Sequence, residues 1–204
     1  MAEGTPPPIR YELMARRPPE GAIDLGTLVP GTGELELEIG FGRGRFLIER
    51  ARAAPSSRIV GIEIKSKWSH LVEERRKKLG LENVVALYGD AREVLPRLGP
   101  DGSLARAFVH FPDPWWKKRH ARRRVVDDVL MTQLGRLMRP GGALFVQTDV
   151  EERAIAMAEN IVQSGLFRVE PGFAHANPYG ARSNREARAD EDGLPVFRIH
   201  ATRI

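Results

Sequence analysis

Cysteine is absent from the 204 residues. That absence removes disulfides, thiol nucleophiles and thiolate metal sites together, and it permits a reducing compartment. The five histidines are scattered without the paired helical spacing of a zinc site, so no metal is expected. No apolar run approaches the length needed to span a bilayer, and the proline-rich start, Met1 to Pro19, lacks the apolar core of a secretory signal. A cytoplasmic protein with no membrane partner is the expectation. Charge of one sign is also scarce: 32 Lys plus Arg against 27 Asp plus Glu leave a net charge of only +5. A uniformly basic coat is thereby excluded, and a polyanion would have to be met where cations cluster. Internal repeats are lacking, and the length suits one domain with a substantial core.

The cations do cluster. Phe111-Pro-Asp113-Pro-Trp115-Trp116 runs straight into Lys117, Lys118, Arg119, His120, Arg122, Arg123 and Arg124. A carboxylate at a strand end can do chemistry, an indole offers a stacking face, and Lys or Arg side chains neutralise phosphates, so the segment suggests base chemistry on a nucleic acid. The plainer alternative is a strand end followed by a solvated helix cap, since charge runs usually face water. For Trp115 and Trp116, packing of at least one indole is favoured over stacking on a base.

Periodicity gives the architecture. Five prolines between Pro6 and Pro19 make residues 1–20 an extended or disordered arm, leaving 21–204 as a single domain. Strands are expected over 34–39, 58–63, 83–88, 106–111 and 143–148, each rich in Val, Ile, Leu or Phe. Helices fall between them, with apolar faces at Trp68, Leu71, Val72 and Leu79, then Val126 to Met138, then Ala154 to Val162; Pro140-Gly141-Gly142 stops the second. Strand alternating with helix implies an α/β fold, a doubly wound and mainly parallel sheet. Two more strands, 167–170 and 196–203, would close it in antiparallel fashion, for seven strands in all, around a polar stretch from Asn177 to Gly193 with no long helical pattern. A loop that long inside a compact domain is usually functional or disordered.

The first strand ends in Glu38-Ile39-Gly40-Phe41-Gly42-Arg43-Gly44-Arg45, a glycine turn leading into a helix. Glycine permits close backbone approach to a ligand. A dinucleotide turn would want its third glycine where Arg45 stands, and Glu38 opposes a pyrophosphate while suiting a cationic or amine-bearing ligand. The second strand ends at Glu63, where an acid can accept from both hydroxyls of a ribose. The third ends in Asp90-Ala91, a carboxylate and a small residue able to bracket an adenine. Acids at three successive strand ends point to an adenosyl compound without phosphates, S-adenosylmethionine. The competing reading is that Glu63 and Asp90 only cap the following helices.

These motifs, taken in order, resemble the bacterial tRNA guanine-N7 methyltransferases, over nearly all of the chain from Glu34 onward. The match is carried by 111–124, by Leu37 to Gly42, by Gly61-Ile62-Glu63 and by Thr148-Asp149. The resemblance implies a Rossmann-like class I methyltransferase that uses S-adenosylmethionine to methylate N7 of a guanine in the tRNA variable loop, position 46 of the tRNA, as a monomer or homodimer. It implies that Glu38, Glu63, Asp90 and Asp113 line the cofactor pocket, with Asp113 as the active-site acid. By the same resemblance Lys117 and Asp149 meet the substrate, and Arg119, Arg122, Arg123 and Arg124 contact RNA. The family's C-terminal motif is Thr-x-aromatic-Glu followed by Arg two residues later. Here it reads Ser183-Asn184-Arg185-Glu186-Ala187-Arg188, with Arg185 replacing the aromatic. Glu186 is expected to hold the guanine edge and Arg185 to reach a phosphate. Two alternatives stand beside this reading: methylation of another RNA base, such as an exocyclic amine, and a catalytically silent RNA-binding relative.

Overall fold

Leu35, Leu37 and Ile39 alternate with Glu36 and Glu38, and this period of two builds strand β2 (Leu35–Ile39) with an apolar face and a carboxylate face. All five residues are buried, because β2 lies at the centre of the sheet. The protein is described by a computed structural model covering residues 9–112 and 126–204. The strands are β1 (Ile23–Asp24), β2, β3 (Arg58–Glu63), β4 (Val84–Tyr88), β5 (Leu98–Gly99), β6 (Leu104–His110), β7 (Met138–Thr148), β8 (Phe167–Val169) and β9 (Phe197–Arg203). The helices are α1 (Tyr11–Met14), α2 (Leu25–Leu28), α3 (Arg45–Ala53), α4 (Ser66–Lys78), α5 (Ala91–Val94), α6 (Asp128–Leu137), α7 (Glu151–Gln163) and α8 (Asn184–Glu191).

Seven strands form one sheet in the order β4-β3-β2-β6-β7-β9-β8. The first five pair in parallel, and β9 pairs antiparallel with both β7 and β8. The expected doubly wound α/β sheet with an antiparallel close is therefore the observed one. The chain winds outward from β2 through β3 to β4, then returns to β6 on the other side of β2, so the order reverses between β2 and β6. Such a switch point opens a crevice at the carboxyl ends of the strands. A separate parallel pair, β1 with β5, was not expected; strands of two residues carry no period to read.

Packing decided several details. Leu71 and Leu79 of α4 are exposed while Ser69, Val72 and Glu73 are buried. The helix turns that way because Glu73 is satisfied on its inner side by Arg76, by Arg16 and by the Ala86 N–H, and small Ser69 approaches the Ala86 carbonyl. Burial pushes the Glu73 carboxyl up, but those partners outweigh it and hold the group below its ordinary value. The arm expected over residues 1–20 is docked in its described later part: Ala15 is buried, and the Arg16 carbonyl accepts from Tyr88 N–H of the edge strand β4 at 2.8 Å. Helix α6 stops at Leu137 as Pro140-Gly141-Gly142 demands, yet the strand begins at once. Leu104 pairs with Met138 and Arg106 already with Ala143, so residues 139–142 bulge out of the ladder. The polar stretch from Asn177 to Gly193, read as lacking a long helical pattern, holds α8, capped by Ser183 accepting from Glu186 N–H at 3.1 Å. Its buried side is made of Glu186, Ala187 and Ala189, too polar and too small to register as an apolar stripe.

Three glycines precede α3, all with left-handed backbone: Gly40 at φ 74°, Gly42 at 55° and Gly44 at 71°. They differ in surroundings. A Cβ at Gly40 or Gly42 meets nothing within 4 Å, whereas one at Gly44 sits 2.4 Å from Val72 Cγ2. Gly44 is thus required to seat α3 against α4. Gly40→Ala should cost only the left-handed backbone strain, about 1–2 kcal/mol, and Gly44→Ala should lose about 1–3 kcal/mol more through overpacking. Urea titration of both variants checks this, and equal midpoints would show that the Val72 contact is unimportant.

Candidate active site

The switch point holds a cleft of about 660 Å³, a volume suited to a small cofactor. Its floor is the carboxyl ends of β2, β3, β4 and β6, and its far wall is the start of α6. Of the residues expected at the cofactor, Glu38, Gly40, Gly42, Glu63, Asp90 and Ala91 all line it. Gly44 does not, for the packing reason given above. Asp113, Lys117, Arg119, Arg122, Arg123 and Arg124, with Trp115 and Trp116, lie outside the described residues.

Each acid has a distinct environment. Glu63 accepts from Gly42 N–H through Oε2 and from Lys65 N–H through Oε1, both at 2.8 Å. It therefore clips the glycine turn to the strand beside it, and each oxygen keeps a second lone pair for a ligand hydroxyl. Asp90 Oδ1 accepts from Arg92 N–H at 2.9 Å and caps α5. At Asp90, capping and ligand binding are thus compatible; Glu63 does not cap α4, whose N-cap is Lys65. Glu38 caps nothing. Its side chain is buried, its Oε1 lies 2.9 Å from His110 Nδ1, and its Oε2 has no partner among the described residues. Burial pushes the Glu38 carboxyl above its ordinary value, and the hydrogen bond to His110 draws it back only in part.

His110 is the residue that sequence reasoning missed. Glu38 stands opposite Phe108 in the β2–β6 register, so His110, two residues on, shares its face. Only the register makes that visible. The Nε2 atom of His110 is buried without a partner among the described residues, as is Oε1 of Gln147, its register neighbour on β7. The next residue, Phe111, has φ 47° and donates its N–H to the Gln147 carbonyl at 2.7 Å. A non-glycine residue held there stores strain at the point where the chain turns toward Asp113.

The C-terminal motif divides. Ser183, Asn184 and Arg185 line the cleft. Arg185 Nε donates to Asp149 Oδ2 at 2.8 Å, so the side chain expected to reach a phosphate holds the carboxylate expected to meet the substrate. Glu186, expected at the guanine edge, sits apart from the other three. It is not among the cleft's lining residues; it is buried under α8, accepting from Gln147 Nε2 at 2.8 Å, from Asn177 Nδ2 and from the Arg198 guanidinium at 3.0 Å. A carboxylate in the first turn of a helix is drawn inward when a buried arginine on the neighbouring strand is its partner. Accordingly, Arg198→Met should destabilise the protein by about 3–5 kcal/mol, because it strands a buried charge. Adding Glu186→Gln should recover much of that loss. Thermal melts of the two variants test this, and a stable single variant with impaired RNA use would instead return Glu186 to the substrate.

The geometry can hold an adenosyl ligand. Two left-handed glycines and a buried carboxylate oxygen, open and unpartnered among the described residues, fit a compound that comes close to the backbone and carries an amine, and the negative charge of Glu38 disfavours a pyrophosphate there. No group of three His, Cys, Asp or Glu side chains among the described residues could hold a metal ion.

Known proteins match both sequence and fold. Residues 33–199 match the family described as "Putative methyltransferase". A tRNA (guanine-N(7)-)-methyltransferase of Anaeromyxobacter dehalogenans is 45% identical over 82% of this chain and 84% of its own. Another, of Myxococcus xanthus, is 34% identical over 95% of this chain and 93% of its own. Among solved structures, the 16S rRNA methyltransferase KamB superposes with a TM-score of 0.64 at 19% identity, covering 93% and 99% of the two chains. A SAM-dependent methyltransferase from Aquifex aeolicus gives 0.59 at 17% identity, covering 88% and 87%; these two likenesses concern the fold. With a family match spanning most of its length and relatives this similar, the chain belongs to the tRNA (guanine-N7)-methyltransferase family.

Proposed function

We propose that this protein transfers the methyl group of S-adenosylmethionine to N7 of the guanine at position 46 in the variable loop of tRNA. The observation that carries the cofactor assignment is Oε2 of Glu38, buried without a partner among the described residues in the cleft that Gly40 and Gly42 also line. When bound, the cofactor supplies an electrophilic methyl group on a sulfonium. Glu38, held by His110, accepts from its amine; Glu63 accepts from the ribose hydroxyls; Asp90 and Ala91 bracket the adenine.

Guanine N7 carries an in-plane lone pair, so no base is needed to remove a proton before the methyl moves. What the reaction requires is in-line placement of two reactants and a negative group near a purine ring that becomes cationic. Asp113 takes that second role; it follows Phe111 by two residues. Lys117, Arg119 and the triplet Arg122, Arg123 and Arg124 hold phosphates, and Ser183, Asn184 and Arg185, which line the cleft, meet the substrate together with Asp149, which Arg185 holds.

Incubation with labelled cofactor and total tRNA, followed by nucleoside analysis, should yield N7-methylguanosine and nothing else. An exocyclic N-methylated nucleoside, or no transfer despite cofactor binding, would replace this reading with one of its alternatives. Asp113→Asn should slow turnover by roughly ten- to a thousandfold, the usual effect of one preorganised electrostatic group, with cofactor affinity changed far less.

The His110 contact gives an independent check. His110→Ala leaves both Glu38 oxygens without partners and should weaken cofactor binding by about tenfold, the worth of one buried charge-assisted hydrogen bond. His110→Asn keeps an N–H near Nδ1 and should restore part of it. Equal dissociation constants for the alanine variant and the parent, measured by calorimetry, would show that Glu38 is not oriented by this contact.

A further inference from the structure

Only some cations on and around α4 are paired with acids. Arg76 and Lys77 pair with Glu73 and Glu74. Lys65, Lys67 and Arg75 have no carboxylate partner among the described residues, and neither has Arg43 on the glycine turn next to them. Their partners are rings and backbone instead. Arg43 lies over Trp68 at 5.1 Å, Lys67 lies over the same ring at 5.5 Å, and Arg75 reaches the Arg43 carbonyl. All four cations are exposed.

Their place in the fold makes this arrangement costly. Lys65 is the N-cap of α4 and Lys67 is in its first turn, which contains no acidic residue. That end of a helix carries partial positive charge and favours anions, so two lysines and an adjacent arginine there oppose the helix field and repel one another. The ring contacts offset only part of that repulsion. Arg43, Lys65 and Trp68 also line the mouth of the cleft, where a polyanionic substrate has to arrive. Helix α4 follows β3, and the segment from Asp113 onward follows β6; β3 and β6 flank β2 on opposite sides.

From this we propose that Arg43, Lys65, Lys67 and Trp68, with Arg75 behind them, form a second RNA-backbone contact on the β3 side of the cleft. The basic block at 117–124, which follows β6 in the chain, is the first. The inference rests on tRNA being the substrate. The cations take phosphates, and the indole, which lies under two of them, holds those two side by side. Gripping the RNA on both sides of the strand ends would fix the target base over the methyl donor, which neither patch does alone.

The test is equilibrium binding of a tRNA transcript to the triple variant Arg43→Gln, Lys65→Gln, Lys67→Gln across a salt series, with cofactor saturating. Each phosphate that is no longer neutralised should reduce the logarithmic salt slope by about 0.7 to 0.9. Removing three cations should therefore reduce it by about 2, with a roughly tenfold or greater rise in the dissociation constant near 0.15 M salt. The single charge reversal Lys67→Glu, outside the cleft lining, should move the slope in the same direction. Parental slopes in both variants overturn the proposal. So does an unchanged slope accompanied by loss of self-association or of a protein partner, which would make the patch a protein interface. Because the readout is binding, its failure is separable from that of the functional reading. N7-methylguanosine formation with a parental slope removes only this surface, and a flattened slope with a different methylated base removes only the assigned reaction.

Discussion

Everything in this fold is arranged around two carboxylates buried in the middle of a parallel sheet. Strand β2 is covered on both faces, and a buried ionised group without partners costs several kcal/mol. Glu36 is therefore met on all sides: Arg50 donates from Nε and a terminal nitrogen at 2.8 and 2.7 Å, Ser57 Oγ at 3.1 Å and Arg106 at 3.0 Å. Those donors come from α3, from the turn before β3 and from β6, and Arg50 continues to the Tyr179 carbonyl at 3.0 Å. One carboxylate thereby fixes how a helix, a strand and the C-terminal segment sit on the sheet.

Glu38, two residues along, is the same problem left partly unsolved. Three of the four buried side-chain atoms without a partner among the described residues belong to Glu38, His110 and Gln147, on adjoining strands β2, β6 and β7 near their carboxyl ends. A well-satisfied core does not gather such atoms in one place unless something else is meant to meet them. The contrast between Glu36, fully paired at the buried end of the strand, and Glu38, half paired at the open end, separates framework from site within one five-residue strand.

Much of this was legible in the linear chain. The strand positions followed from alternation and β-branched content, and the acids at the ends of β2, β3 and β4 could be picked out because each follows an apolar run and precedes a helix. The partners of those acids could not. His110 reads as an ordinary strand residue until the β2–β6 register puts it beside Glu38, and Arg198 belongs to β9, an element later than the helix α8 that carries Glu186. Helix α4 was found from its spacing but is rotated about its axis, because a buried Glu73 with an arginine on either side outweighs two leucines left in water.

Local information, then, determined the seven strands of the main sheet, the glycine turn, the acids at the strand ends and the family, since each depends on residues near one another in the chain. Tertiary structure alone decided which of the motif's polar groups face the cleft. Ser183, Asn184 and Arg185 do, while Glu186 turns inward to Arg198, Gln147 and Asn177. The reason is electrostatic: a carboxylate goes where its counter-charge is buried, and the position of that counter-charge is set by the packing of distant strands rather than by the spacing of the motif.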